Sequence, residues 1–170
     1  MWSRVTIIGI TMSGALLVLG CEQKNPPVAA KGPTMHEHHA PHKGTLVELG
    51  EEFAHLELVL DPATGKLTGY LLDGEAENPV RTNNQMITIR VTRVTGSATT
   101  RPAPFSVDLK PVANALSGET VGNTSQFEGQ SADLIGVTNF DGQVAAVTAR
   151  AKDFKDVDFN YPAGNEAKGQ

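Results

Sequence analysis

The sequence predicts an all-β domain, a two-sheet antiparallel β-sandwich of immunoglobulin-like type, with a small β-barrel as the alternative. Short apolar runs recur from Thr45 onward, and turn residues separate them. No segment keeps a 3.6-residue apolar period, so helices are not expected. Over Met86–Arg93 the alternation is regular, with Ile87, Ile89 and Val91 on one face of the predicted strand.

The predicted strands follow one another in short runs, most of them rich in β-branched or aromatic residues. Residues 109–122 admit either a loop or a short helix. The strands are Thr45–Leu49, Phe53–Asp61, Lys66–Leu72, Met86–Arg93, Phe105–Lys110, Ser125–Glu128, Val137–Phe140, Gln143–Arg150 and Phe154–Tyr161.

Two of the connections carry specific turn residues. Asp61-Pro62-Ala63-Thr64-Gly65 predicts a hairpin, because proline presets φ and glycine accepts a positive φ. Asp141-Gly142, between two predicted strands, is typical of a two-residue type I′ hairpin. Asp73 is likewise interpreted as a turn residue.

The first twenty residues are typical of a bacterial lipoprotein signal peptide. One positive charge, at Arg4, precedes the apolar run Val5–Leu19, which is too short and too interrupted for a membrane-spanning helix. Gly20-Cys21 then resembles a lipobox, which predicts lipidation of Cys21. The alternative is a standard cleavage site beside an ordinary cysteine. Cys21 is the only cysteine in the chain, which excludes an intramolecular disulfide.

These features predict a chain anchored by lipid in the bacterial cell envelope. Glu22 rather than aspartate follows the cysteine, which favours the periplasmic face of the outer membrane. The predicted order is a signal peptide over 1–20, a Pro- and His-rich flexible tether over 21–43, the β-domain over 44–161 and a disordered tail over 162–170. The full chain has a net charge of −5, and a mildly acidic protein without a basic run is not expected to bind nucleic acid.

Histidine clustering is the one pattern that carries chemistry. All five histidines lie between positions 36 and 55. Imidazole is the commonest protein ligand for metals, and a short His-rich tract indicates metal binding by composition. The predicted ligands of a copper or zinc ion are His36, His38, His39 and His42, with Glu37, Met35 and His55 as further candidates. The tract is equally compatible with a solvated spacer whose histidines are incidental.

His55 differs from the other four because it lies within a predicted strand, on the same face as Glu57. A hairpin with the preceding strand would place it opposite Val47 or Glu48. On this pattern His55 is interpreted as a hydrogen-bonded surface or half-buried histidine, and His42 as too distant to share an ion with it.

Enzyme motifs are absent from the sequence. It contains no nucleophile elbow, phosphate-binding loop, dinucleotide fingerprint or His-Glu-x-x-His. The protein is therefore predicted to have no catalytic residue and no tightly bound cofactor other than a copper or zinc ion.

Three runs carry a resemblance to known proteins: Pro41–Gly50, His55–Asp61 and Gly65–Asp73. Together they resemble a segment of small His-rich bacterial envelope lipoproteins of planctomycete type. They also resemble a segment near the start of periplasmic adaptor subunits of heavy-metal efflux systems. The resemblance implies an envelope β-domain associated with metal handling, and it matches His42 and His55 to recurrent histidines. The usual His-Gly-Gly is here His42-Lys43-Gly44.

The predicted function is capture of a divalent metal by a non-enzymatic, membrane-anchored lipoprotein, for buffering or transfer. Its partners would be the membrane, through the lipid, and an envelope protein or metal-efflux component. The alternative is a structural or protein-interaction β-module.

Overall fold

Eight antiparallel β-strands make up the fold, as the computed structural model describes it for residues 38–97 and 103–166. One 3₁₀ turn, Ala132–Leu134, accompanies them, and the described residues contain no α-helix. The all-β prediction is therefore confirmed. The strands are β1 Thr45–Leu49, β2 Ala54–Asp61, β3 Lys66–Asp73, β4 Ile87–Ser97, β5 Phe105–Pro111, β6 Gln126–Gln130, β7 Val137–Ala149 and β8 Lys152–Tyr161.

The strands form a single sheet in the order β1-β2-β3-β6-β5-β4-β7-β8. A short pairing of β5 with β6, Lys110 with Glu128 and Pro111 with Phe127, joins its two halves. At the other side β1 and β8, the terminal strands of the sheet, lie in contact. The sheet is therefore nearly closed, as in the small β-barrel alternative, and the two-sheet sandwich is not confirmed.

The predicted hairpin at Asp141-Gly142 is wrong, because β7 runs through both residues. Gly142 pairs with Phe159 on β8, and a Cβ atom there would lie 2.8 Å from the Phe159 ring and 3.2 Å from that of Phe140. The glycine therefore makes room for aromatic packing instead of forming a turn. The turn comes at Arg150 and Ala151, with φ of 47° and 63°.

We expect Gly142→Val to lower the free energy of unfolding by about 1–3 kcal/mol, because the added methyl groups displace the Phe159 and Phe140 rings. Ala146→Val is the matched control, since Ala146 lies on the same strand and is exposed. Urea unfolding of both variants measures the difference. Equal stabilities would show that the rings have space to move.

The other predicted turn residues lie in turns. The Asp61 carboxylate accepts hydrogen bonds from Ala63 N and from the Thr64 hydroxyl, and Gly65 follows with φ of 70°. The region 109–122, open between a loop and a helix, is the end of β5 followed by a loop in which Asn114 and Glu119 form an isolated bridge.

The interior of the barrel is aliphatic with a few phenylalanines. The fully buried side chains include Leu56, Leu58, Leu71, Ile87, Ile89, Leu109, Phe127 and Phe140. Burial of these apolar side chains drives folding and holds the strands rigidly.

The outer face of β1, β2 and β3 is covered as well. The segment 38–44, which precedes β1, lies over it, and Ala40 packs there against a second apolar cluster of Leu46, Leu72 and Ala76. Because of this cover, His55 and Glu57 on the outward face of β2 have no exposed surface. The prediction of a surface or half-buried His55 is therefore wrong.

Several predictions fall outside the described residues. They are the signal peptide 1–20, Cys21 and the start of the tether, including Met35, His36 and Glu37, together with residues 167–170 of the predicted tail. Residues 162–166 of that tail are described and contact β1. Among the residues described, no helix is long and apolar enough to cross a membrane.

Candidate metal centre

His55 lies near the start of β2, between Glu48 of β1 and Leu72 of β3. Its Nδ1 is 3.1 Å from the backbone carbonyl oxygen of Asp73. A carbonyl oxygen can only accept, so Nδ1 carries the proton and donates. In the neutral ring, Nε2 then holds a free lone pair on the other side of the imidazole.

The Asp73 carbonyl is fixed in place by its own turn. The Asp73 carboxylate accepts hydrogen bonds from the backbone N–H groups of Glu77 and Asn78 and from the Asn78 side chain. Desolvation opposes ionisation here, but these hydrogen bonds outweigh it and lower the pKa of Asp73. A charged turn residue therefore holds the acceptor that orients His55.

His38 reaches the same place from the segment before β1. Its ring lies 4.7 Å from the His55 ring between centroids, tilted by 59°. Its side chain is only 6% exposed, and Nδ1 lies 3.1 Å from Oε1 of Glu166. Two imidazoles from positions 17 residues apart thus meet on the outer face of β2.

Glu166 completes the group from the far end of the described chain. Its Oε1 lies 3.0 Å from His55 Nε2 as well as 3.1 Å from His38 Nδ1. One ligand atom from each of the three residues lies within 4.8 Å of the others. Ligands around a tetrahedral zinc ion, at about 2.0–2.1 Å from the metal, are about 3.3 Å apart, which is close to the two nitrogen–oxygen distances at Glu166.

The two histidines also present the unpaired atoms of the site. Among side-chain nitrogen and oxygen atoms of the described residues, the buried ones without a hydrogen-bond partner are His38 Nε2 and His55 Nε2. His55 Nε2 is close to Glu166 but is not aligned with it as a hydrogen bond. A buried polar atom left unpaired costs about 1–3 kcal/mol, so two in one cluster call for a ligand.

His42 occupies a different site. The Glu57 carboxylate, fully buried, accepts hydrogen bonds from the backbone N–H groups of His42 and Gly44 at 2.8 and 2.9 Å. Its other oxygen lies 2.7 Å from His42 Nδ1. The His42 ring stacks on Tyr70, with centroids 3.7 Å apart. Desolvation, followed by the charges of Glu128 and Glu57, raises the pKa of Tyr70, so its phenol stays neutral.

The predicted ligands are therefore divided. The structure brings together His38 and His55, places His42 on Glu57, and leaves His39 exposed. Glu48 lies opposite His55 and is one of the two partners that the hairpin predicts. The sequence did not predict Glu166 as part of this site. No local pattern distinguishes it, because a glutamate in a polar C-terminal segment is normally a solvent-exposed charge.

Comparison with known proteins adds no relative. No protein family, curated protein or solved structure matches this chain at a significant level of similarity.

Proposed function

We propose that this protein binds a divalent transition-metal ion, copper or zinc, through His38, His55 and Glu166. The observation that carries the proposal is the meeting of two buried histidines at one carboxylate oxygen: His55 Nε2, which has no hydrogen-bond partner, and His38 Nδ1 lie 3.0 and 3.1 Å from Glu166 Oε1. A metal ion at this point would accept the lone pair of His55 Nε2 and neutralise the carboxylate charge at once.

The surroundings of His55 support a metal more than a hydrogen-bonded cluster. Metal-bound histidines commonly donate their second ring nitrogen to a carbonyl or a carboxylate, which fixes the tautomer and the ring orientation. His55 does this through Asp73. The free Nε2 then lies 3.0 Å from a Glu166 oxygen before any ion arrives.

The ligand chemistry narrows the choice of ion. Two imidazole nitrogens and one carboxylate oxygen suit zinc and copper(II), whereas calcium and magnesium prefer oxygen ligands alone. Three protein ligands leave a coordination position open to water or to an incoming ligand. Glu166 is about a third exposed, so that position can face solvent. These properties support buffering and transfer of the ion.

The lipid anchor is proposed on the sequence alone. The Arg4 to Leu19 pattern followed by Gly20-Cys21 predicts a lipid on Cys21 that would tether the chain to the envelope membrane. Residues 22–37 would then link this anchor to the β-barrel. An envelope location would place the metal centre where a metal-efflux component could exchange ions with it.

Calorimetric titration of the purified protein with Cu(II), Zn(II) and Ni(II) at neutral pH tests the proposal. We expect one ion per chain with a dissociation constant below about 1 µM, roughly −8 kcal/mol. Binding should weaken as the pH is lowered, because protons compete for the imidazole nitrogens.

Two adjacent histidines supply the matched variants for this titration. His38→Ala should weaken binding strongly, whereas His39→Ala, at an exposed position, should leave the affinity within about twofold. Equal losses in the two variants would favour a loosely bound ion on the histidine tract. No binding by the unmodified protein would leave the structural or protein-interaction module as the function.

A further inference from the structure

We propose that metal occupancy locks the C-terminal strap, residues 162–166, onto the edge of β1. The inference rests on the proposed function and adds to it a regulation of the same site. In this arrangement the ion fixes the strap against β1, and the docked strap in turn raises the affinity for the ion.

The strap begins as a turn directly after β8. Asn160 and Gly164 exchange two backbone hydrogen bonds, of 3.1 and 2.7 Å, and Ala163 N donates to the Asn160 side chain. This turn reverses the chain at the end of the sheet and directs the next residues across the β1–β8 seam.

Asn165 then takes the place of a neighbouring strand. The Glu48 N–H donates to Asn165 Oδ1 at 2.7 Å, and Asn165 Nδ2 donates to the Glu48 carbonyl at 3.2 Å. Glu48 is on a terminal strand of the sheet, whose outward backbone groups would otherwise remain unpaired. A side-chain amide offers the same donor and acceptor pair as a peptide, so it caps the edge.

Gly164 allows the strap to approach this closely. A Cβ atom at position 164 would lie 2.4 Å from the Leu46 carbonyl oxygen, and the residue has φ of 79°. Both conditions require glycine. The strap is therefore fitted to the backbone of β1 rather than resting loosely on it.

The metal ligand follows immediately. Glu166 is the neighbour of Asn165, and its carboxylate lies on His55, which pairs with Glu48 across β1 and β2. Releasing the strap would withdraw Glu166 from the two histidines. An ion bound by all three residues would resist that release, and by thermodynamic reciprocity docking of the strap raises the affinity for the ion by the same factor by which the ion favours docking.

Amide hydrogen exchange of the Glu48 N–H in the full-length protein measures opening of the strap. With zinc at about 100 times its dissociation constant, we expect exchange of this amide to slow by up to about 100-fold. Amides of the β5–β6 pairing, which lies midway along the sheet order between β1 and β8, serve as internal controls and should change little.

The reciprocal half of the test uses a residue that is not a ligand. Asn165→Ala removes both hydrogen bonds to Glu48 and leaves His38, His55 and Glu166 intact, so zinc affinity should fall about tenfold. Gly164→Ala should act in the same direction through the Leu46 contact. His39→Ala is the control and should have no effect on either readout.

The outcomes separate the two proposals. Zinc binding with unchanged Glu48 exchange, together with full affinity in Asn165→Ala, would overturn the coupling and leave metal binding intact. Failure of the unmodified protein to bind any of the three ions would overturn the proposed function itself, and the coupling with it. Slowed exchange and weakened affinity together would establish the locked strap.

Discussion

Replacing His55 with asparagine is expected to abolish stoichiometric metal binding. His55 is the fully buried member of the centre, and Asp73 fixes the direction in which its Nε2 points. Loss of a residue that merely supports a ligand weakens metal sites about 10- to 100-fold, so loss of the oriented ligand should cost more than about 100-fold. Calorimetric titration with Zn(II) and Cu(II) measures the effect.

The variant must be shown to fold, because position 55 lies beneath the covering segments. Its far-UV circular dichroism and its urea transition should be those of a folded β-protein. His38→Ala removes a second proposed ligand. His38 lies outside the strands, so its replacement should disturb folding less. Micromolar or tighter binding retained in both variants would contradict a centre built from His38, His55 and Glu166.

Replacing Glu57 with alanine is expected to lower the free energy of unfolding by about 2–4 kcal/mol. The carboxylate is fully buried and accepts from two backbone N–H groups and from the His42 ring. Its removal leaves those backbone donors unpaired, at about 1–3 kcal/mol each, while the half-exposed His42 ring can turn to water. The segment 38–44 should loosen from β2 as a result.

Glu128→Ala is the matched control for this change. Glu128 also lies on the outer face of the sheet, but it is about one-third exposed and pairs with Lys66 at the surface. Such a pair contributes about 0–1 kcal/mol. Urea unfolding of the two variants should therefore separate them clearly. A Glu57→Ala protein as stable as Glu128→Ala would mean that water replaces the carboxylate as acceptor.

Apolar runs predicted the strands correctly where the residues that favour a turn stand at the end of a strand. The hairpin after Asp61 formed where predicted, because its proline, threonine and glycine each satisfy a local requirement of the turn. Asp141-Gly142 has the same local character and lies inside β7. There the glycine makes room for the ring of Phe159, the residue that pairs with Gly142 across β7 and β8. A local sequence pattern contains no information about this distant residue.

The sequence singled out the histidines of the candidate centre as a group but not which of them come together. Of the clustered histidines whose structure is described, His38 joins His55, His42 binds Glu57, and His39 is exposed. The three positions are nearly equivalent in sequence. What separates them is which side chain faces β2 as the segment 38–44 crosses the sheet.

The sequence by itself determined the all-β class and most of the strands, since alternation of apolar side chains and turn residues act over a few residues. It also narrowed the partner of His55 to Val47 or Glu48, because hairpin pairing is local. Only the tertiary structure decided the burial of His55, the closure of the sheet and the arrival of Glu166. The closure of the sheet and the arrival of Glu166 depend on contacts between residues more than 100 positions apart. The burial of His55 depends on the segment 38–44 lying over β2. Local propensities encode none of these contacts.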